Sequence, residues 1–106
     1  MSGQNVDAWL SRILSKDAMT FEDAYWGERP PPEAAVPKIL ESLKTTFDPY
    51  TRGKLVELLG ESGDKSVLPI LEKEMRSPDQ AIREWACASI AALRRDEPWQ
   101  KDPKYL

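Results

Sequence analysis

Two stretches of the chain are versions of one pattern. AVPKILESLKTTFDPYTRGKLVELL, from Ala35, realigns on VLPILEKEMRSPDQAIREWACASIAAL, from Val67. Pro37 falls on Pro69 and Leu43 on Met75, 32 residues on. Asp48 falls on Asp79, Arg52 on Arg83 and Leu59 on Ile90, 31 residues on. The one-residue slip sits in the turn between paired helices, where insertions are tolerated. A period of this length marks stacked helix–turn–helix units, because one such pair cannot cover its own apolar face.

Local signals agree with that reading. Val6, Trp9, Leu10, Ile13 and Leu14 make one apolar stripe on a helix over Val6–Ser15, capped by Asn5. Thr20 and Asp23 are spaced like a weak capping box for a short helix, Phe21–Trp26, ended by Gly27. Three prolines then predict an extended linker over Arg29–Pro32. In the first repeat unit Ala35, Val36, Ile39, Leu40 and Leu43 keep helical spacing, which puts Pro37 near a first turn. Asp48 and Pro49 read as N-cap and first residue of the next helix. In the second unit Val67, Leu68, Ile70, Leu71 and Met75 face inward on one helix. Ile82, Ala86, Ser89, Ile90 and Leu93 do so on the next, with Trp85 beside the stripe. The tail from Asp96 has two prolines and no period, and is either frayed or pinned by Trp99 and Tyr105.

The pattern P-x-L…D-P-D-x-x-V-R-x-x-A-x-x-A-L resembles HEAT-like repeats of the short bacterial type, including those of bilin-lyase proteins. The second unit supplies Pro69, Leu71, Pro78, Asp79, Ile82, Arg83, Ala86 and Ile90 to it. The resemblance covers residues 33–93 and implies an all-α fold, a short right-handed α-solenoid of about two repeats with an N-terminal helical cap. One domain is expected, with residues 1–32 as the cap and linker, 33–60 and 61–95 as the repeats, and 96–106 as the tail. The first helix must then serve as the third layer. The resemblance also implies that Asp48 and Asp79 pair with Arg52 and Arg83 between neighbouring repeats. The first unit departs from the pattern at Thr51 and Gly53, and a mid-helix glycine costs about 1 kcal/mol relative to alanine. Close approach of another helix or a ligand, or simple drift, explains Gly53 equally.

The stretch LLGESGDKS, Leu58–Ser66, looks at first like a phosphate-binding loop. Such a loop needs a glycine before its lysine and a strand before its first glycine. Here Asp64 precedes Lys65 and the preceding segment has helical period. The structural reading uses each residue: Gly60 as a left-handed helix cap, Gly63 as a tight turn, Asp64 or Ser66 as the next N-cap, and Lys65 solvated.

Composition narrows the chemistry. Histidine is absent, which excludes His-based triads and dyads and most zinc sites. A single cysteine, Cys87, makes no disulfide within the chain and reads as a buried, inert thiol in an apolar helical run. Glu57/Glu61 and Glu72/Glu74, near Lys54 and Lys73, read as solvated salt-laced faces rather than acid–base pairs. Net charge is −3 and no segment is strongly basic, so nucleic acid is disfavoured. No apolar run has membrane-spanning length and the N-terminus lacks a basic, then apolar, signal pattern. A cytoplasmic protein without cofactor or metal is expected.

What remains is a surface for a protein. Second helices line the concave side of such stacks, which makes residues 50–59 and 80–93 the expected binding face. Its contact set is Tyr50, Lys54, Glu57, Glu84 and Trp85. Tyr25, Trp26 and Arg29 either cap the open end of the first repeat or form a further exposed anchor, since Tyr, Trp and Arg dominate interface energetics. Trp85 reads equally as core filling or as a contact residue. The function expected is a non-enzymatic interaction module, a monomer or weak dimer alone, acting as an adaptor or stoichiometric inhibitor such as an immunity protein. An accessory subunit of an enzyme, of the bilin-lyase kind, and a nucleic-acid-processing HEAT protein are the alternatives.

Overall fold

A computed structural model of the protein describes residues 5–101. They form six α-helices and one 3₁₀ turn, and there is no strand among the described residues. The helices are α1 (Val6–Ile13), α2 (Ala18–Trp26), α3 (Pro32–Leu43), α4 (Pro49–Glu61), α5 (Leu68–Glu74) and α6 (Gln80–Arg94), with the turn at Lys65–Val67 before α5. They stack as three consecutive pairs, α1/α2, α3/α4 and α5/α6. Helix α1 packs on α3, and α4 packs along α6 in the most extensive helix–helix contact of the fold. The third layer is therefore a full pair, not the first helix alone.

Capping aspartates set where three of the helices begin. Asp48 accepts from the Thr51 backbone and hydroxyl at 3.0 and 2.7 Å, and Asp79 accepts from the Ile82 backbone at 3.2 Å. These bonds hold the Asp48 carboxyl below its ordinary range. Helix α2 starts earlier than the Thr20–Asp23 spacing predicts, because Asp17 is its cap and takes both the backbone N–H and the hydroxyl of Thr20. Helix α3 also starts earlier, at Pro32, so only Pro30 and Pro31 remain extended. Pro37 thus lies inside the helix rather than in its first turn. Both Pro37 and Glu33, whose carbonyl loses its helical donor, face solvent, where water serves instead.

The α4–α6 contact is unusually close. A Cβ on Gly60 would lie 2.6 Å from the Cα of Ser89 and 2.8 Å from its carbonyl oxygen. Gly60 is therefore a packing residue within α4, not the left-handed cap. Ser62 ends the helix in right-handed conformation, and Gly63, at φ +72°, makes the turn. The Ser89 hydroxyl donates to the Val56 carbonyl at 2.9 Å, so the polar group in this tight seam is satisfied. Lys65 is not simply solvated, since its ammonium donates to the Leu93 carbonyl at the end of α6.

The expected stripe of α6 is buried as read: Ile82, Ala86, Ser89, Ile90 and Leu93. Cys87 is exposed, because it falls between stripe positions on the outer side of the helix; an apolar run does not by itself say which side is covered. Met75, expected inward on α5, is exposed as well.

Replacing Gly60 by alanine adds helix propensity but drives a methyl into the α6 backbone. The expected outcome is a net loss of about 1–3 kcal/mol in urea unfolding; a stabilised Gly60→Ala protein would show that the seam is not as tight as described.

Candidate functional site

The expected contact residues separate into a buried group and an exposed group. Tyr25 and Arg29 are buried, and Trp26 is half-buried. Arg29 is an internal cation. Its guanidinium donates to Glu61 at 2.9 Å, to the Trp99 carbonyl at 2.8 Å, and through both other nitrogens to the Tyr25 carbonyl. It lies 4.6 Å from the Tyr25 ring centre and 5.0 Å from that of Trp99. Lys101 meets the other oxygen of Glu61 at 2.9 Å. The tail is thus pinned at Trp99, whose indole donates to the Pro30 carbonyl and whose ring lies 5.9 Å from that of Trp9. Tyr105 lies outside the described residues. Tyr25, Trp26 and Arg29 belong to the internal cap, and the exposed-anchor reading falls.

Glu57 and Glu61, expected on a solvated face, also join this network. Glu61 is buried between two cations, whereas Glu57 is half-buried and, among the described residues, faces only the Tyr25 hydroxyl, which lies 3.3 Å from it and 3.2 Å from Glu61. Burial, and then the charge of Glu61, push the Glu57 carboxyl above its ordinary range. Burial and the same two carboxylates push the Tyr25 phenol up, so it stays a neutral donor. The sequence hides this cluster because its members come from α2, the proline linker, α4 and the tail.

Lys54 is also buried rather than presented to a partner. Its ammonium sits over the rings of Phe21 and Tyr50, at 4.1 and 4.4 Å, and reaches the Ser15 carbonyl. Burial lowers its pKa, with Asp48 opposing the shift.

The exposed group lies on α4 and α6. Tyr50 is 68% exposed at the start of α4, and Trp85 is 40% exposed on α6. The Trp85 indole rests on Gly53: a Cβ there would lie 2.8 Å from Cδ1. That contact accounts for the mid-helix glycine. Beside it a cleft of about 170 Å³ opens between the helices, walled by Trp85, Ala88, Ala92, Glu57 and Arg95. Glu84, the residue before Trp85, is exposed and accepts from Gln80. Of the expected contact set, Tyr50, Trp85 and Glu84 stand on this face in the open, and Glu57 forms part of its floor.

The arginines that the repeat pattern pairs with aspartates do something else. Arg52 donates to the Thr46 carbonyl and Arg83 to the Ser77 carbonyl, each at 2.8 Å and each six residues back in its own interhelix turn. Asp48 and Asp79 are occupied as caps, so the carboxylate that reaches Arg52 is Glu74 of α5, through two bonds of 2.8 Å. This pair joins the two repeats. No following pair stands beside Arg83 among the described residues, and its fork has no such carboxylate.

A family model of HEAT repeats matches residues 36–104. Nothing among curated proteins and nothing among solved structures matches the chain significantly. The match covers well over half of the sequence, and the chain belongs to the HEAT repeat family.

Two outcomes test the network. Arg29→Ala leaves buried Glu61 with the Tyr25 hydroxyl and, among the described residues, Lys101 as its one cation, and should cost about 3–5 kcal/mol in urea unfolding; a loss below about 1 kcal/mol would show the pair to be dispensable. The second concerns Glu57. Its folded carboxyl keeps its proton to a higher pH than the unfolded one, so stability falls as pH rises through that interval. Glu57→Gln retains an acceptor for Tyr25 and removes the charge. The variant should melt with the parent below about pH 4 and above it in temperature at pH 7. Equal melting temperatures at both values would mean that the charge carries no penalty.

Proposed function

Taking membership of the HEAT repeat family as the premise, we propose that this chain is a non-enzymatic module that binds a protein partner through the α4–α6 face. HEAT repeats commonly act as protein-interaction modules. The observation that carries the reading is the placement of Trp85. An indole is held on a glycine, between small alanines and next to an open cleft, with two-fifths of its surface in solvent. A large aromatic set on a rigid helix loses little side-chain entropy on binding and supplies much apolar area, which is why such residues dominate interface energetics. Tyr50, seated over Lys54, extends the same face along α4. A rigid stack that presents one such face suits an adaptor or a stoichiometric inhibitor.

Affinity pull-down followed by mass spectrometry identifies the partner, and two variants test the face. Trp85→Ala should weaken the complex by about 2 kcal/mol or more, the size of an interface hot spot, and Tyr50→Ala by less. Helical circular dichroism should remain as in the parent. If both variants bind as the parent does, the α4–α6 face is not the contact surface.

A further inference from the structure

A second surface lies on the opposite side of the stack, between the outer helices. Helices α3 and α5 barely touch each other, unlike their inner partners α4 and α6. They leave a groove of about 410 Å³ floored by Leu40, Leu43 and Ile70. It meets a wider depression of about 630 Å³, bordered by Phe47, Pro49 and Pro78; Arg52, Lys73 and Glu74 line both. Phe47 is 77% exposed, the most exposed large apolar side chain of the described residues. Among the described residues nothing in the capping or core packing uses its ring.

The rim of this surface is positive. Lys44 and Lys73 flank the groove and Arg76 borders the depression; all three are exposed. None has an ion-pair partner among the described residues, whereas the carboxylates at the same place are occupied. Glu74 is held by Arg52, and Asp79 caps α6. An apolar floor whose rim has cations in excess, Lys44, Arg52, Lys73 and Arg76 against Glu74 and Asp79, is complementary to a ligand that is apolar on one side and acidic on its flanks.

We infer that the α3–α5 groove, with Phe47 at its end, docks an acidic amphipathic helix of a partner protein. A groove between two helices receives a third by the same ridge-and-groove packing that builds the stack. Its apolar residues cover Leu40, Leu43, Ile70 and Phe47, while its carboxylates meet Lys44, Lys73 and Arg76. A second copy of the chain fits less well, because a two-fold contact sets the same three cations against themselves. A phosphate backbone has no use for the apolar floor and needs a larger basic field. This site is separate from the α4–α6 face and stands or falls without it.

The test uses the full-length protein and fluorescein-labelled peptides of 16 residues, read by anisotropy. One has leucines at helical spacing and glutamates elsewhere; the second carries lysine for glutamate. The acidic peptide should bind with a Kd below about 100 μM, and the basic one at least tenfold more weakly. Phe47→Ala, and separately Lys73→Glu with Arg76→Glu, should each weaken the acidic peptide at least tenfold. Trp85→Ala should leave it unchanged. Absence of saturable binding at 1 mM peptide, equal binding of both peptides, or sensitivity to Trp85 rather than Phe47 would overturn the assignment. So would self-association in sedimentation that Phe47→Ala abolishes, which would give the groove to a second copy.

Discussion

The buried pair of Arg29 and Glu61 is the constraint around which the rest of the fold closes. A guanidinium without contact to water must place its donors on acceptors, and a buried carboxylate must meet a cation. Arg29 meets that requirement only by collecting the Tyr25 carbonyl from α2, Glu61 from α4 and the Trp99 carbonyl from the tail. Lys101 completes Glu61 from the far side. Segments more than thirty residues apart are thus bound to one point, near the end of α4. A stack of two repeats is short for this architecture, and its ends need cover. Here the α1/α2 pair and the tail provide cover together and are tied to each other.

Helix α4 carries the demands of both sides. It is buried along nearly its whole length, between the N-terminal pair and α6. Toward α6 it presents Gly60 and Gly53, two turns apart. The first lets the α6 backbone approach; the second makes room for the Trp85 indole. One stripe of one helix therefore fixes how closely the repeats pack and where the exposed aromatic stands. Toward the N-terminal pair it presents Lys54, Glu57 and Glu61, whose charges are managed by rings, a phenol and a guanidinium. The side chains expected to meet a partner are largely consumed by this interior work, which leaves Tyr50, Trp85 and Glu84 for the surface.

The two arginines at matching repeat positions show how a shared pattern acquires different duties. Arg52 and Arg83 each tie the turn of their own unit through a carbonyl six residues back. Among the described residues only Arg52 of the two has a neighbour supplying a carboxylate, and it is the one that joins repeat to repeat. The aspartates of the pattern are spent on helix starts, where a side-chain oxygen satisfies donors that the helix leaves open.

The amino-acid sequence by itself determined the elements and their partition into units. Apolar stripes at helical spacing placed α1 and α6. Capping aspartates and prolines placed the start of α4, and the repeat of Asp48, Arg52 and Leu59 at Asp79, Arg83 and Ile90 implied stacking. These features are local, set within a few residues by backbone geometry and capping. Only the tertiary structure decided which charges are interior, because a long polar side chain on a helix is exposed or buried according to what lies opposite. Glu61 reads as solvated until the Arg29 guanidinium and Lys101 are brought to it. Lys54 reads as a surface lysine until Phe21 and Tyr50 close over its ammonium. Cys87 is a different case: its apolar run reads as buried, yet the stripe already read for α6 leaves it on the outer side. The same holds for Trp85: its sequence neighbours suit core or surface, and its contact with Gly53 of α4 sets it on the face.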